Sequence, residues 1–114
     1  MDNLNRVTVA ITGASGAIYA LRTIRGLLIG GVHLDLIVSD LGWMLLREEG
    51  GFKGKRSEFG DYLLERYKKD TQGGEITLHA SEDLAASIAS GSVRSTGMVV
   101  VPCSMKTLAG IANG

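Results

Sequence analysis

Apolar and small or polar residues alternate at the start of the chain, with Val7, Val9 and Ile11 set between Thr8, Ala10 and Thr12. A period of two predicts a strand. Gly13-Ala14-Ser15-Gly16 breaks the alternation, after which Ile18, Leu21, Ile24 and Leu28 recur at helical spacing until Gly30-Gly31. The run "HLDLIV", His33 to Val38, predicts a second strand, and Leu41 to Glu49 a helix that ends at Gly50-Gly51. From Glu58 to Lys69, Phe59, Tyr62, Leu63 and Tyr67 predict an amphipathic helix, with Arg66, Lys68 and Lys69 in its last turn. Gly73-Gly74 is a turn, Ile76 to Leu78 a short strand, and Ser81 a cap for a helix through about Ile88, with Glu82 and Asp83 in the first turn. "GMVVVP", Gly97 to Pro102, is a continuous apolar run of the kind a strand buried on both faces needs. Ser104 opens a last helix that runs to Asn113-Gly114.

Strand and helix alternate without a hairpin signal, which predicts a parallel sheet with helices on both faces. The 114 residues fit a single domain, 1–114, and 45% hydrophobic against 21% charged residues predicts a real core. Four strands are fewer than a three-layer domain usually carries. The chain therefore reads as the front part of a longer domain, incomplete at its C-terminus, with an apolar edge for another segment or chain to cover.

The formal net charge is zero, so no basic excess exists to neutralise a nucleic-acid backbone. The mixed charges between Lys53 and Asp70 read as a solvated helix face. A single cysteine, Cys103, cannot form an internal disulfide, which suits a reducing compartment. No apolar signal core is apparent near Asp2 and Arg6, and the apolar runs are too short to span a bilayer. The expected setting is soluble and cytoplasmic, with no membrane partner.

Ligands of open parallel sheets bind where strand ends lead into helix N-termini. Three predicted strand ends carry suitable residues. Gly13-Ala14-Ser15-Gly16 offers a tight turn, backbone N–H groups and a hydroxyl. Ser39 follows the second strand directly, either as a helix cap or as a ligand contact. "PCSMKT", Pro102 to Thr107, brings the hydroxyls of Ser104 and Thr107 and the charge of Lys106. Three hydroxyl-bearing turns at one sheet edge point to a phosphorylated cofactor. Ser15 stands where a dinucleotide fingerprint has its second glycine, and Ser39 precedes Asp40 where a ribose-gripping acid is expected. A mononucleotide fits better.

Glu48 and Glu49 close a predicted helix, where acidic residues oppose the macrodipole. They are either two solvated side chains or the mark of one that faces a site. Ser90-Gly91-Ser92 is either a plain loop or a further anion contact. Cys103 reads as a packed small hydrophobe, and His33 and His79 show no metal-ligand spacing. Trp43, Tyr62 and Tyr67 read as core or interface.

"ITGASGAIYALR", "VSD" with a glutamate ten residues beyond its serine, "ASIASGS" and "VVVPCSMKTLAGIANG" together resemble the flavin prenyltransferases of the UbiX/Pad type. The likeness runs in order from Arg6 to Gly114, apart from the stretch around Phe52 to Glu75. It implies a three-layer Rossmann-like (flavodoxin-like) domain that binds FMN. Carried over, Gly13, Ala14, Ser15, Ser39, Ser104, Met105, Lys106 and Thr107 would contact the flavin, and Ser90, Gly91 and Ser92 the substrate phosphate. The implied reaction joins a dimethylallyl group from dimethylallyl phosphate to N5 and C6 of reduced FMN, without a metal. Glu49 would serve as acid and base and Ser15 as a proton relay or flavin contact. The product, prenylated FMN, serves partner UbiD-type decarboxylases, and family members form large homo-oligomers. The resemblance also implies later arginine, lysine and tyrosine contacts beyond Gly114. Asp40 stands where the family often has lysine, and it is expected to point outward. Two other readings are an FMN-dependent cysteine-type decarboxylase and a non-catalytic flavin-binding subunit. "PCSMKTL" and the lack of a histidine soon after Gly16 weigh against the decarboxylase.

Overall fold

The computed structural model describes residues 6–67, 74–79, 97–103, 108, 109 and 112. Four parallel strands, β1 (Arg6–Ile11), β2 (His33–Val38), β3 (Ile76–His79) and β4 (Gly97–Val100), form one sheet in the order β3-β2-β1-β4. Helix α1 (Ala17–Ile29) links β1 to β2, and α2 (Asp40–Glu48) and α3 (Phe59–Arg66) lie between β2 and β3. The parallel sheet that the alternation predicts is present, and its strand order is the Rossmann-like one that the resemblance implies. The helix expected at Ser81 to Ile88 lies outside the described residues, as does most of the one expected from Ser104.

The described helices share one face of the sheet. Val9, Ile11, Leu34, Leu36 and Val38, on that face, form a single buried cluster with Ala20, Leu21, Ile24 and Leu28 of α1, Trp43 and Leu46 of α2, and Phe59 and Leu63 of α3. Three buried rings anchor it. Trp43 and Phe59 meet edge to face at 5.2 Å between centroids, and Phe52 and Phe59 at 5.0 Å. Each buried ring or branched chain contributes about 1.5–3 kcal/mol.

The other face carries an unexpected polar set. Thr8, Asp35 and Thr77 stand side by side across β1, β2 and β3. Asp35 is fully buried, and Arg6 clamps it with Nε at 3.1 Å and Nη2 at 2.6 Å. His79 Nε2 lies 2.8 Å from the same Oδ1 that Arg6 Nη2 reaches. Burial pushes the Asp35 carboxyl up, but the hydrogen bonds and charges of Arg6 and His79 outweigh it and hold it below the ordinary carboxylate value. The group ties three adjacent strands together. Among the described residues, the buried hydroxyl of Thr8 has no partner.

Three expectations need correction. β4 ends at Val100 rather than Pro102, and it is not buried on both faces, since Gly97 and Met98 are exposed. Its place at the end of the strand order gives it one described neighbour, β1. The helix expected from Glu58 to Lys69 starts at Phe59 after a 3-10 turn, Arg56–Glu58, because Lys55 N donates to the Glu58 carboxylate and tightens the entry. Tyr67 caps that helix, and Lys68 and Lys69 lie outside the described residues. Cys103 is half-buried rather than packed away.

Candidate functional site

The chain leaves β1 toward β2, while β4 lies on the opposite side of β1. The strand order therefore reverses at the carboxyl ends of β1 and β4, where open parallel sheets bind ligands. Consecutive residues of β1 and its exit fix the surroundings of that point. The Ile11 carbonyl accepts the Ser39 N–H at 3.0 Å, which seats the start of α2. Thr12 donates both its N–H, at 3.2 Å, and its hydroxyl, at 2.7 Å, to the Pro102 carbonyl at the exit of β4.

The Gly13–Gly16 turn between them is half-buried, with Ser15 exposed at its tip. A Cβ on Gly13 would run into the Leu41 side chain, so the turn passes directly over the first turn of α2. Gly16 is the N-cap of α1 with φ 118°, a left-handed conformation that favours glycine. Having no side chain, it cannot cap the helix, and the first N–H groups of α1 need another acceptor. Glu49 supplies it from the far end of α2. Its Oε1 accepts the N–H of Gly16 at 2.9 Å and of Ala17 at 3.1 Å, and its Oε2 accepts the Ser15 hydroxyl at 2.9 Å. The Gly16 bond first, then those of Ala17 and Ser15, hold the Glu49 carboxyl below its ordinary value. The carboxylate is exposed, so it is ionised at neutral pH while facing solvent.

This answers what the adverse placement of Glu49 at a helix end is for. The anion at the N-terminus of α1 is an internal carboxylate, so Gly16 and Ala17 are not free to hold a ligand phosphate. Ser15 and Glu49, singled out separately in sequence, are in direct contact. Ser39 caps α2, its Oγ accepting the Gly42 N–H at 3.0 Å. That leaves the Ser39 hydroxyl proton as a donor at the positive end of α2. Asp40 points outward, 90% exposed, and pairs with Arg56 at 2.9 Å, which offsets its charge beside that end.

Gly13, Ala14, Ser15, Ser39 and Glu49 thus converge around the carboxyl ends of β1 and β2. Ser104, Met105, Lys106 and Thr107 lie outside the described residues, as do Ser90, Gly91 and Ser92. Sequence reasoning missed Thr12 as a link between turns, and it missed the Arg6–Asp35–His79 cluster. The second had a signal, since an aspartate within an apolar strand requires a partner. Among the described residues no group of three or more His, Cys, Asp and Glu is placed to hold a metal ion, and no helix is long and apolar enough to cross a membrane.

A sequence model of the family described as Flavoprotein matches residues 1–114. The chain is 40% identical over 108 residues to the flavin prenyltransferase UbiX of Halalkalibacterium halodurans, covering 94% of this chain and 50% of that one. The chain spans about half the length of the curated relatives it matches. Among solved structures it is similar to AnUbiX in complex with FMN and dimethylallyl pyrophosphate, with a TM-score of 0.65 at 33% identity over 96% of this chain and 51% of that one. It is also similar to a dodecameric FMN-dependent UbiX-like decarboxylase from Escherichia coli O157:H7, with a TM-score of 0.66 at 30% identity, covering 95% and 52%.

Proposed function

The chain belongs to the Flavoprotein family, and on that premise we propose that it binds FMN and carries the acid–base half of a flavin prenyltransferase site. The observation that carries this reading is the Ser15–Glu49 pair, a solvent-facing carboxylate and hydroxyl held beside the switch point of the sheet. The likeness to UbiX prenyltransferases supports the same reading.

The residues fit a flavin mononucleotide. With the α1 N-terminus filled by Glu49, the Ser39 hydroxyl at the start of α2 remains for the phosphate or ribityl chain, and Gly13, Ala14 and Ser15 border the ring. Bound in reduced form, FMN supplies the electron-rich ring that is alkylated by the dimethylallyl group. Glu49 performs the proton work. As the bond to the flavin formed, the allylic carbon–oxygen bond would break and phosphate would leave with its electron pair. Glu49, ionised at rest, would accept the proton given up by the alkylated nitrogen through the Ser15 hydroxyl on Oε2. Protonated Glu49 would deliver that proton to the prenyl double bond as the ring closes, and the proton displaced at the ring carbon would pass to the released phosphate. Three donors hold the ionised carboxylate in one orientation. Ser104 to Thr107 and Ser90 to Ser92 would complete the flavin and phosphate contacts. A homo-oligomer and a UbiD-type decarboxylase that consumes the product complete the proposal.

Incubation with reduced FMN and dimethylallyl phosphate tests it. A flavin whose mass rises by one prenyl unit supports the reading. Binding of unchanged FMN sinks prenyl transfer and leaves a flavin-binding subunit, and release of carbon dioxide from a peptide with a C-terminal cysteine would replace it with decarboxylation.

A further inference from the structure

The β1–β4 ladder ends at Ala10 opposite Val100, and the Val101 N–H still reaches the Ala10 carbonyl at 2.9 Å. Beyond that point the two strands part into the turn before α1 and the loop after β4. Thr12 spans the parting. It is fully buried, and its hydroxyl bond to the Pro102 carbonyl, at 2.7 Å, is shorter than its backbone bond to the same oxygen, at 3.2 Å. The two segments stay close farther out, since a Cβ on Gly16 would lie 3.7 Å from the Pro102 Cβ.

We propose that Thr12 is a positioning residue for the flavin crevice: its hydroxyl sets the gap between the Gly13–Gly16 turn and the loop that leaves β4. This rests on the flavin-binding reading above. Both segments carry residues expected to contact FMN, so the ligand binds a width rather than a single surface. The backbone bond alone permits the Pro102 carbonyl to swing, because an N–H···O bond is broad in angle at its acceptor. A second donor on the same oxygen removes that freedom. Preorganisation of this kind lowers the ordering cost of binding.

Thr12→Val removes the hydroxyl and nearly conserves the volume, whereas Thr12→Ser keeps the hydroxyl and drops the methyl. Two readouts apply to the folded chain, FMN affinity by flavin fluorescence and the reaction rate of Cys103 with a coloured disulfide reagent. Cys103 adjoins Pro102, is half-buried and is the chain's single cysteine. The valine variant should bind FMN about tenfold more weakly, as expected for a lost buried hydrogen bond, and expose Cys103 to severalfold faster reaction. The serine variant should restore both, which a simple loss of packing would not allow. A folded valine variant with wild-type FMN affinity and thiol rate overturns the proposal. If valine prevents folding, Thr12→Ala is compared with serine by the same two measurements, and equality between them overturns it. Failure of the wild type to bind FMN removes the flavin reading instead, and the thiol rate still decides whether Thr12 holds the loop.

Discussion

Gly42 and Gly26 both lie inside helices, yet the structure assigns opposite signs to their replacement by alanine. Alanine is favoured over glycine in a helix interior by about 1 kcal/mol. At Gly26, on the exposed side of α1, a Cβ meets nothing within 4 Å, so the propensity gain is unopposed. At Gly42 a Cβ would lie 2.7 Å from the Ile11 carbonyl oxygen and 3.1 Å from both the Ser39 Oγ and the Val38 Cγ1. That carbonyl accepts the Ser39 N–H, and the Ser39 Oγ accepts the Gly42 N–H, so neither atom retreats without breaking a bond. Overpacking of this kind costs about 1–3 kcal/mol and a lost N-cap about 1 kcal/mol. Set against the propensity gain, Gly42→Ala should destabilise the chain by roughly 1–3 kcal/mol, while Gly26→Ala should stabilise it by about 0.5–1 kcal/mol. For a domain of this size the first lowers Tm by roughly 4–12 °C, and the second raises it by a few degrees. Thermal unfolding followed by circular dichroism reads both. A Gly42→Ala variant that melts at or above wild type would refute the claim that α2 is seated rigidly on the end of β1.

Glu49→Gln preserves an acceptor for Gly16 and Ala17 but not the charge, so FMN affinity should stay near wild type while prenyl transfer falls by about a hundredfold or more. Unchanged turnover would remove Glu49 from its role. Asp35 is held below its ordinary value, so the stability it confers is present above the unfolded carboxylate value of about 3.9 and is lost as pH falls through the lowered folded value. Acid titration of unfolding should therefore be steeper for the wild type than for Asp35→Asn below about pH 4, and at pH 7 that variant should be less stable by about 3 kcal/mol. Phe59→Ala, which removes a fully buried ring touching Trp43 and Phe52, should cost about 3–5 kcal/mol in urea unfolding.

The strands and the first two helices were legible because their periods are local. Val7 to Ile11 alternate, α1 repeats its apolar residues every three or four positions, and Gly30 and Gly31 end it. Burial of β4 was not legible, because an apolar run reports what a strand can tolerate and not how many neighbours it has. In the site, Ser15 was found by type and position, whereas the residues alone left Glu49 level with Glu48 and the family resemblance singled it out. The contact between Ser15 and Glu49 was not legible, since it crosses 34 residues and depends on how α1 and α2 lie together. The link from Thr12 to Pro102 crosses 90, and nothing local distinguishes a threonine that bridges loops from one that merely ends a strand. Asp35 was the reverse case, visible as an anomaly whose partners only the fold could name.

Glu49 stands at the C-cap of α2 while gripping the first N–H groups of α1. The two helices are thereby wired in series through one carboxylate, the negative end of one meeting the positive end of the other. A proton that arrives at Glu49 loosens that junction, and a proton that leaves tightens it. The amides of Gly16 and Ala17 are therefore built-in reporters of the state of that carboxylate. Their NMR shifts and hydrogen-exchange rates should follow its ionisation. A reaction cycle that loads and unloads this carboxylate would move the first turn of α1 in step with the chemistry.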